Sequence, residues 1–154
     1  MACSGSRKIL VLFELNASEQ VTSLDFAKAI ASVGSLVKNY FPASSINFSP
    51  WRDDPHTNKW LEDETLDLAF HFPGWNPNLQ CRSFLIQLRV VKDDSRELPC
   101  LLGVIIRGVT FNGESWRLVT IGDWKFTGPH LPHKLVMQNL QDLCHDLFVL
   151  FASD

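Results

Sequence analysis

Two histidines three residues apart, in Pro129-His130-Leu131-Pro132-His133-Lys134, are the pair in this chain most suggestive of metal chemistry. On a helix beginning near Pro129 they would share one face, where neutral imidazoles can ligate a metal ion. A zinc site needs at least three converging ligands, and no acidic or cysteine side chain stands nearby, while Lys134 adds a like charge. The stretch therefore reads as a helix-entry turn with two surface histidines, and no metal and no cofactor is expected.

A second group lies on alternate positions of adjoining strand-like segments: Asp67 and His71, then Arg89, then Arg107, Arg117 and Asp123. An acid, an imidazole and several guanidiniums on one sheet face can bind an anion or move a proton. A solvated sheet face shows the same polarity with no function at all. Leu85, Val91, Ile105, Val109, Val119 and Ile121 point the same way, however, which makes the face too apolar to be only wet. Something should cover part of it: a second copy, another protein, a loop of this chain or a small ligand.

Trp75, in Phe72-Pro73-Gly74-Trp75-Asn76-Pro77, is an aromatic held between rigid residues, the way contact anchors are often presented. The structural alternative is a tryptophan folded over the sheet edge. Other chemistries find no support. There is no G-x-S-x-G, phosphate loop or dinucleotide fingerprint. Asp53-Asp54 and Asp93-Asp94 fall in turns, where capping explains them. Cys3, Cys81, Cys100 and Cys144 are far apart with no C-x-x-C pair, and read as free thiols filling small apolar spaces.

The elements that must position these residues follow from apolar periodicity. Lys8 to Leu15 reads as a first strand, apolar on both parities. Asn16 to Ser23 supplies N-caps, Thr22 with Asp25 making a loose capping box. Phe26, Ile30, Val33, Val37 and Tyr40 recur at helical spacing, and Pro42 ends that helix. Ser45 to Trp51 reads as a second strand, and Thr57 caps a short turn carrying Trp60 and Leu61.

Strict alternation marks Leu66 to Phe72 as a strand, with the turn formers Pro73 to Asn78 after it and another strand from Cys81 to Val91. Beyond a polar connection from Lys92 to Pro99, Leu101 to Phe111 and Ser115 to Phe126 pair around Asn112-Gly113. A strict two-residue loop would set Arg107 beside Leu118. A glycine-bulged loop instead groups Leu102, Val104 and Ile106 with Trp116, Leu118 and Trp124, leaving Arg107, Arg117, Asp123 and Lys125 opposite, and is preferred. Val136, Leu140, Leu143, Leu147 and Leu150 form a terminal amphipathic helix from about Pro132 to Phe151.

The expected fold is an α+β two-layer sandwich: a four-strand antiparallel meander plus one or two N-terminal strands, packed by a first helix and a C-terminal helix. At 154 residues, 45% apolar and 20% charged, the chain suits one globular domain over residues 1–154, with about 1–7 flexible. A formal charge of −3 offers no attraction to phosphate backbones, so no nucleic acid is expected. No apolar run approaches the roughly 20 residues of a membrane span. The run after Arg7-Lys8 stops at Glu14, too short for a signal-peptide core, so the expected location is cytoplasmic.

The function that fits is a non-enzymatic interaction, adaptor or assembly module whose partner is another protein or a second copy as a homodimer. Trp75, His71, Arg89, Arg107, Arg117, Ile105 and Val119 form the expected contact surface. On that reading, Asp in place of Ile105 or Val119 leaves the monomer folded and abolishes association. The alternative is an enzyme or small-ligand binder with a pocket between sheet and helices, using His71, Arg89 and Asp67.

Overall fold

A computed structural model describes residues 16–17, 23–50 and 65–152 of the chain. The expected strand from Lys8 to Leu15, the Thr57 turn and the flexible residues 1–7 lie outside them. The first helix, α1, spans Leu24–Tyr40. Its cap is Ser23, within the expected capping stretch: Ser23 is extended, and its hydroxyl oxygen accepts the Phe26 N–H at 3.0 Å, while Thr22 lies outside the described residues. Asp25 in the first turn and Lys38 in the last complement the helix dipole. At the far end the Phe41 N–H still reaches the Val37 carbonyl, at 2.7 Å, before Pro42 stops the ladder.

Six strands follow: β1 (Ser45–Asn47), β2 (Thr65–Asn76), β3 (Cys81–Val91), β4 (Cys100–Thr110), β5 (Gly113–Val119) and β6 (Lys125–Thr127). They pair antiparallel in sequence order, β1-β2-β3-β4-β5-β6, and the C-terminal helix α2 spans Lys134–Ala152. Register puts Leu68 opposite Ile86, Ile86 opposite Ile106, Ile106 opposite Leu118 and Leu118 opposite Phe126. These side chains line one face. Phe26, Ile30, Val33 and Val37 of α1 and Leu140, Leu143 and Leu147 of α2 are buried in the same core cluster, so both helices cover that face. Burying each such side chain contributes about 1.5–3 kcal/mol.

Departures from the expected strands have local causes. β2 runs on through Pro73, Gly74 and Trp75 to Asn76. Pro73 is tolerated there because the pairing with β3 is irregular between His71 and Asn76, where its missing N–H costs no ladder bond. Reversal waits for residues 77–80, where Asn76 Oδ1 accepts the N–H of Asn78 and of Leu79, each at 3.1 Å. The Gln80 N–H reaches the Asn76 carbonyl at 2.7 Å, with Gln80 in the left-handed region at φ 56°.

The β4–β5 hairpin has the register of the bulged alternative, Arg107 opposite Arg117 and Ile106 opposite Leu118. Its turn residues are Phe111 and Asn112, with Gly113 at φ 122°. The extra residue is Ser115, between the pairs Val109–Glu114 and Gly108–Trp116. Ser115 to Phe126 is not one strand. β5 ends at Val119 and the chain reverses through residues 120–124 into β6. The Thr120 hydroxyl accepts the Val104 N–H at 2.9 Å, while the Thr120 N–H donates to the Val104 carbonyl at 3.1 Å. Trp124, at φ 57°, then leaves the strand path and stacks on His145 of α2, centroids 4.6 Å apart.

Candidate functional site

On the face turned away from the helices, polar side chains join strand to strand. Thr65 Oγ1 donates to Asp67 Oδ1 at 2.7 Å, and Gln87 Nε2 donates to Asp67 Oδ2 at 3.4 Å. Arg107 Nε donates to Gln87 Oε1 at 2.9 Å, and its Nη1 to Glu114 Oε2 at 2.8 Å. Arg117 closes on the other Glu114 oxygen through Nε at 3.1 Å and Nη2 at 3.0 Å. Two guanidiniums directly opposite would repel. Glu114 lies against both and offsets that repulsion. Asp67 and Gln87 are fully buried and Arg107 is 5% exposed, so this row is an internal brace with charges and amides hydrogen-bonded, not a solvated surface.

The expected contact residues therefore divide. Ile105, 6% exposed, and Arg107 are buried within the chain, along with Ala69 and Leu85 on the same face. Asp at position 105 would place a charge in that layer, so the expectation that Ile105→Asp leaves the fold intact does not stand. Val119 is partly buried opposite Ile105, and Arg89 is partly buried between Thr65 and Gly103. Arg117, His71 and Trp75 reach the surface, His71 with Nδ1 2.8 Å from Ser83 Oγ. His71 pairs with Ser83 and Arg89 with Thr65, so six residues of β3, about 20 Å at 3.3 Å each, part His71 from Arg89. Asp67 is fully buried, Arg89 partly buried and His71 exposed, so the three side chains differ in their access to solvent.

The histidine pair also separates. The His133 N–H donates to the Asn78 carbonyl at 2.8 Å, its carbonyl accepts the Met137 N–H at 2.9 Å, and its Nδ1 accepts the Leu135 N–H at 3.2 Å. His133 thus caps α2, while His130 lies in the preceding segment, its N–H bonded to the Ser115 carbonyl at 3.0 Å. Among the described residues no group of three or more His, Cys, Asp or Glu is placed to hold a metal ion.

What gathers instead is apolar surface at one end of the sheet. Trp75, 49% exposed, sits at the end of β2, and Phe111, 91% exposed, on the β4–β5 turn at the same end. The Arg82 guanidinium carbon is 5.5 Å from the Phe111 ring centroid. Leu131 and Leu135, beside the His133–Asn78 bond, are exposed there too. The sequence centres the turn on Asn112-Gly113, which makes Phe111 a strand end and hides it as a contact residue. The signal for it is a large aromatic immediately before a turn dipeptide.

Beside this end, a pocket of about 240 Å³ opens between the end of α1, upper β2, the β2–β3 turn and the start of α2. Tyr40, Phe41 and Phe72 supply aromatic walls, and Asn76, Asn78 and Asn139 supply amides. The Tyr40 hydroxyl donates to Asp146 Oδ2 at 2.7 Å, which fixes the ring. That bond first, then burial and the negative charges of Asp146 and Asp142, push the Tyr40 phenol up to about 12. Burial likewise raises the free thiols of Cys81 and Cys144 to about 12. Cys100 is disulfide-bonded, which corrects the free-thiol reading for that residue.

Among the described residues, no helix is long and apolar enough to cross a membrane. No curated protein and no solved structure matches the chain. A family model described as a domain of unknown function matches residues 18–153, and the chain belongs to that family.

Proposed function

We propose that the chain is a non-enzymatic adaptor or assembly module that binds another protein through the end of the sheet carrying Trp75 and Phe111. The observation behind this reading is the exposure of those two rings at one end of the sheet, with Arg82 against Phe111. Aromatic and arginine side chains dominate protein interfaces, because each brings large contact area and a polar handle at small conformational cost. Leu131 and Leu135 extend the apolar surface, Arg82 lies against Phe111, and the exposed Lys134 adjoins Leu135 in the chain. Glu114, at the same end, is already engaged by Arg107 and Arg117. The partner surface that fits is apolar at its centre and acidic at its edge, on a different protein or on a second copy of this chain.

A net charge of −3 argues against a nucleic-acid partner, and the proposal includes neither nucleic acid nor membrane. It places the protein in the cytoplasm. The Cys100 disulfide runs against that location, since cytosolic thiols are kept reduced, and alkylation at the moment of cell lysis decides: an intact bond moves the protein to an oxidising compartment, a free Cys100 thiol keeps it in the cytoplasm.

The test is paired substitution, Trp75→Ser with Phe111→Ser, at positions exposed enough to leave the core untouched. Light scattering over a concentration series reads self-association, and affinity capture from source cells reads foreign partners. A binding event that falls at least tenfold in the double variant, with the circular dichroism spectrum unchanged, is the expected result. Binding that persists at full strength in both assays would remove this end of the sheet as the interface.

A further inference from the structure

The pocket beside Tyr40 has a chemistry of its own, separate from the aromatic end and independent of the protein-binding reading. Its volume of about 240 Å³ falls below the roughly 300–1,000 Å³ that holds drug-sized ligands, so an occupant has one or two rings. No side chain lining it is ionised at neutral pH: the walls are aromatic, aliphatic or amide, and the Tyr40 phenol is held protonated by its bond to Asp146. A charged ligand would be desolvated there with no counter-charge to meet it.

Flat ligands are favoured by the walls. Phe41 and Phe72 meet edge to face, centroids 6.4 Å apart and planes at 88°, and Tyr40 is held in place by Asp146. Phe41 is buried behind the wall, so the partly exposed rings of Phe72 and Tyr40 are the surfaces on which another ring can stack. The amides supply direction. Asn76 Oδ1 is already occupied by two backbone N–H groups, which leaves its NH2 to donate. Asn139, partly buried on α2, makes no side-chain hydrogen bond among the described residues, so both its carbonyl and its NH2 are available to the pocket. A carboxamide with both ends open matches a ligand edge carrying a donor next to an acceptor.

We infer that this pocket is a binding site for a small, uncharged, planar nitrogen heterocycle of nucleobase type, stacked against the aromatic walls and read on one edge by the Asn139 amide. With one or two rings in an open site, the dissociation constant should be about 1 mM or tighter.

Adenine is the probe, titrated into the full chain and followed by protein-detected NMR shifts. Wild-type protein should show saturable shifts at residues of the α1 end and the β2–β3 turn. Asn139→Ala, which puts a good helix former in α2, should weaken binding about tenfold through loss of one or two hydrogen bonds. Ala43→Phe, at an exposed position on the pocket wall, should abolish binding by filling the mouth with the core undisturbed. Adenosine monophosphate should bind more weakly than adenine, because its phosphate finds no cation in the walls. No adenine binding to wild-type protein at about 1 mM overturns the assignment. So does binding that survives both substitutions, equal binding of indole, which would mark a merely apolar hole, or tighter binding of the nucleotide. Loss of the aromatic end as a protein interface would leave all of these readings unchanged.

Discussion

Gly108 faces Trp116 across β4 and β5, and a Cβ at position 108 would land within clash distance of indole Cε2, Nε1 and Cζ2. The ring has nowhere to go. Trp116 is fully buried, and its Nε1–H donates to the Leu79 carbonyl at 2.5 Å, tying β5 to the β2–β3 turn. Overpacking a filled core costs about 1–3 kcal/mol. If the indole swings aside, a buried donor and acceptor lose each other at a further cost of about 1–3 kcal/mol. Against this, alanine restricts the unfolded chain more than glycine and returns about 0.4–1 kcal/mol. The clash wins, and Gly108→Ala should destabilise by about 1–5 kcal/mol. For a domain of this size each kcal/mol moves Tm by roughly 2–4 °C. Urea unfolding followed by circular dichroism measures the loss without relying on tryptophan emission, which the substitution itself perturbs. The control is the same change in a Trp116→Leu background, where the smaller side chain leaves room for the new methyl group and Gly108→Ala should cost less than about 0.5 kcal/mol. An equal cost in both backgrounds, or Gly108→Ala as stable as wild type, would refute the close approach as the reason for glycine here.

Other consequences can be checked more briefly. Ile105→Asp should destabilise by about 3 kcal/mol or more, because a charge enters the buried second face of the sheet. A variant that melts with wild type would show that face open to water. The chain has one tyrosine, so ultraviolet titration reads Tyr40 alone. Its folded value lies above the ordinary 10, so the stabilising bond to Asp146 is whole below pH 10 and is lost as pH rises through about 12. Asp146→Ala should bring the midpoint back toward 10, and a wild-type midpoint already at 10 would remove the Tyr40–Asp146 bond from the account.

β3 and α2 were legible to within a residue or two, whereas β2 runs four residues past its expected end at Phe72. β3 has the bounds expected for it, and α2 begins at Lys134 and not Pro132 because His133, with its carbonyl and Nδ1 both engaged, makes the cap. Side-chain parity also chose correctly between hairpin registers, since mixing Arg107 with Leu118 on one face would have buried the charge among tryptophans. Parity failed where two elements share it. Trp116, Leu118, Trp124 and Phe126 keep one alternation across the β5–β6 reversal, and only Gly122-Asp123 signalled a turn there. Nor does parity say what lies over a face. It placed Ile105 and Arg107 together on the second face and could not show that both are buried. The pocket was out of reach for a different reason, since Tyr40, Asn76 and Asn139 are joined only by the packing of α1, the β2–β3 turn and α2.

The buried bonds bear on function because of where they end. The Trp116 indole holds the β2–β3 turn through Leu79, His133 holds the same turn through Asn78, and His130 pins the segment before α2 to Ser115. Glu114, at the start of β5, is gripped by Arg107 from within the sheet and by Arg117 from its surface. Each of these contacts ties down a loop or strand end beside Trp75 or Phe111, so the exposed rings project from turns whose backbone is already fixed. If this end is the proposed interface, association would order side chains and not loops, at about 0.5–1.5 kcal/mol for each immobilised side chain instead of about 1–2 kcal/mol for each residue of backbone. The physical case for a contact surface therefore rests as much on the rigidity beneath the rings as on their exposure, and weakening one anchor, as Gly108→Ala should, ought to weaken binding even though residue 108 lies within the fold.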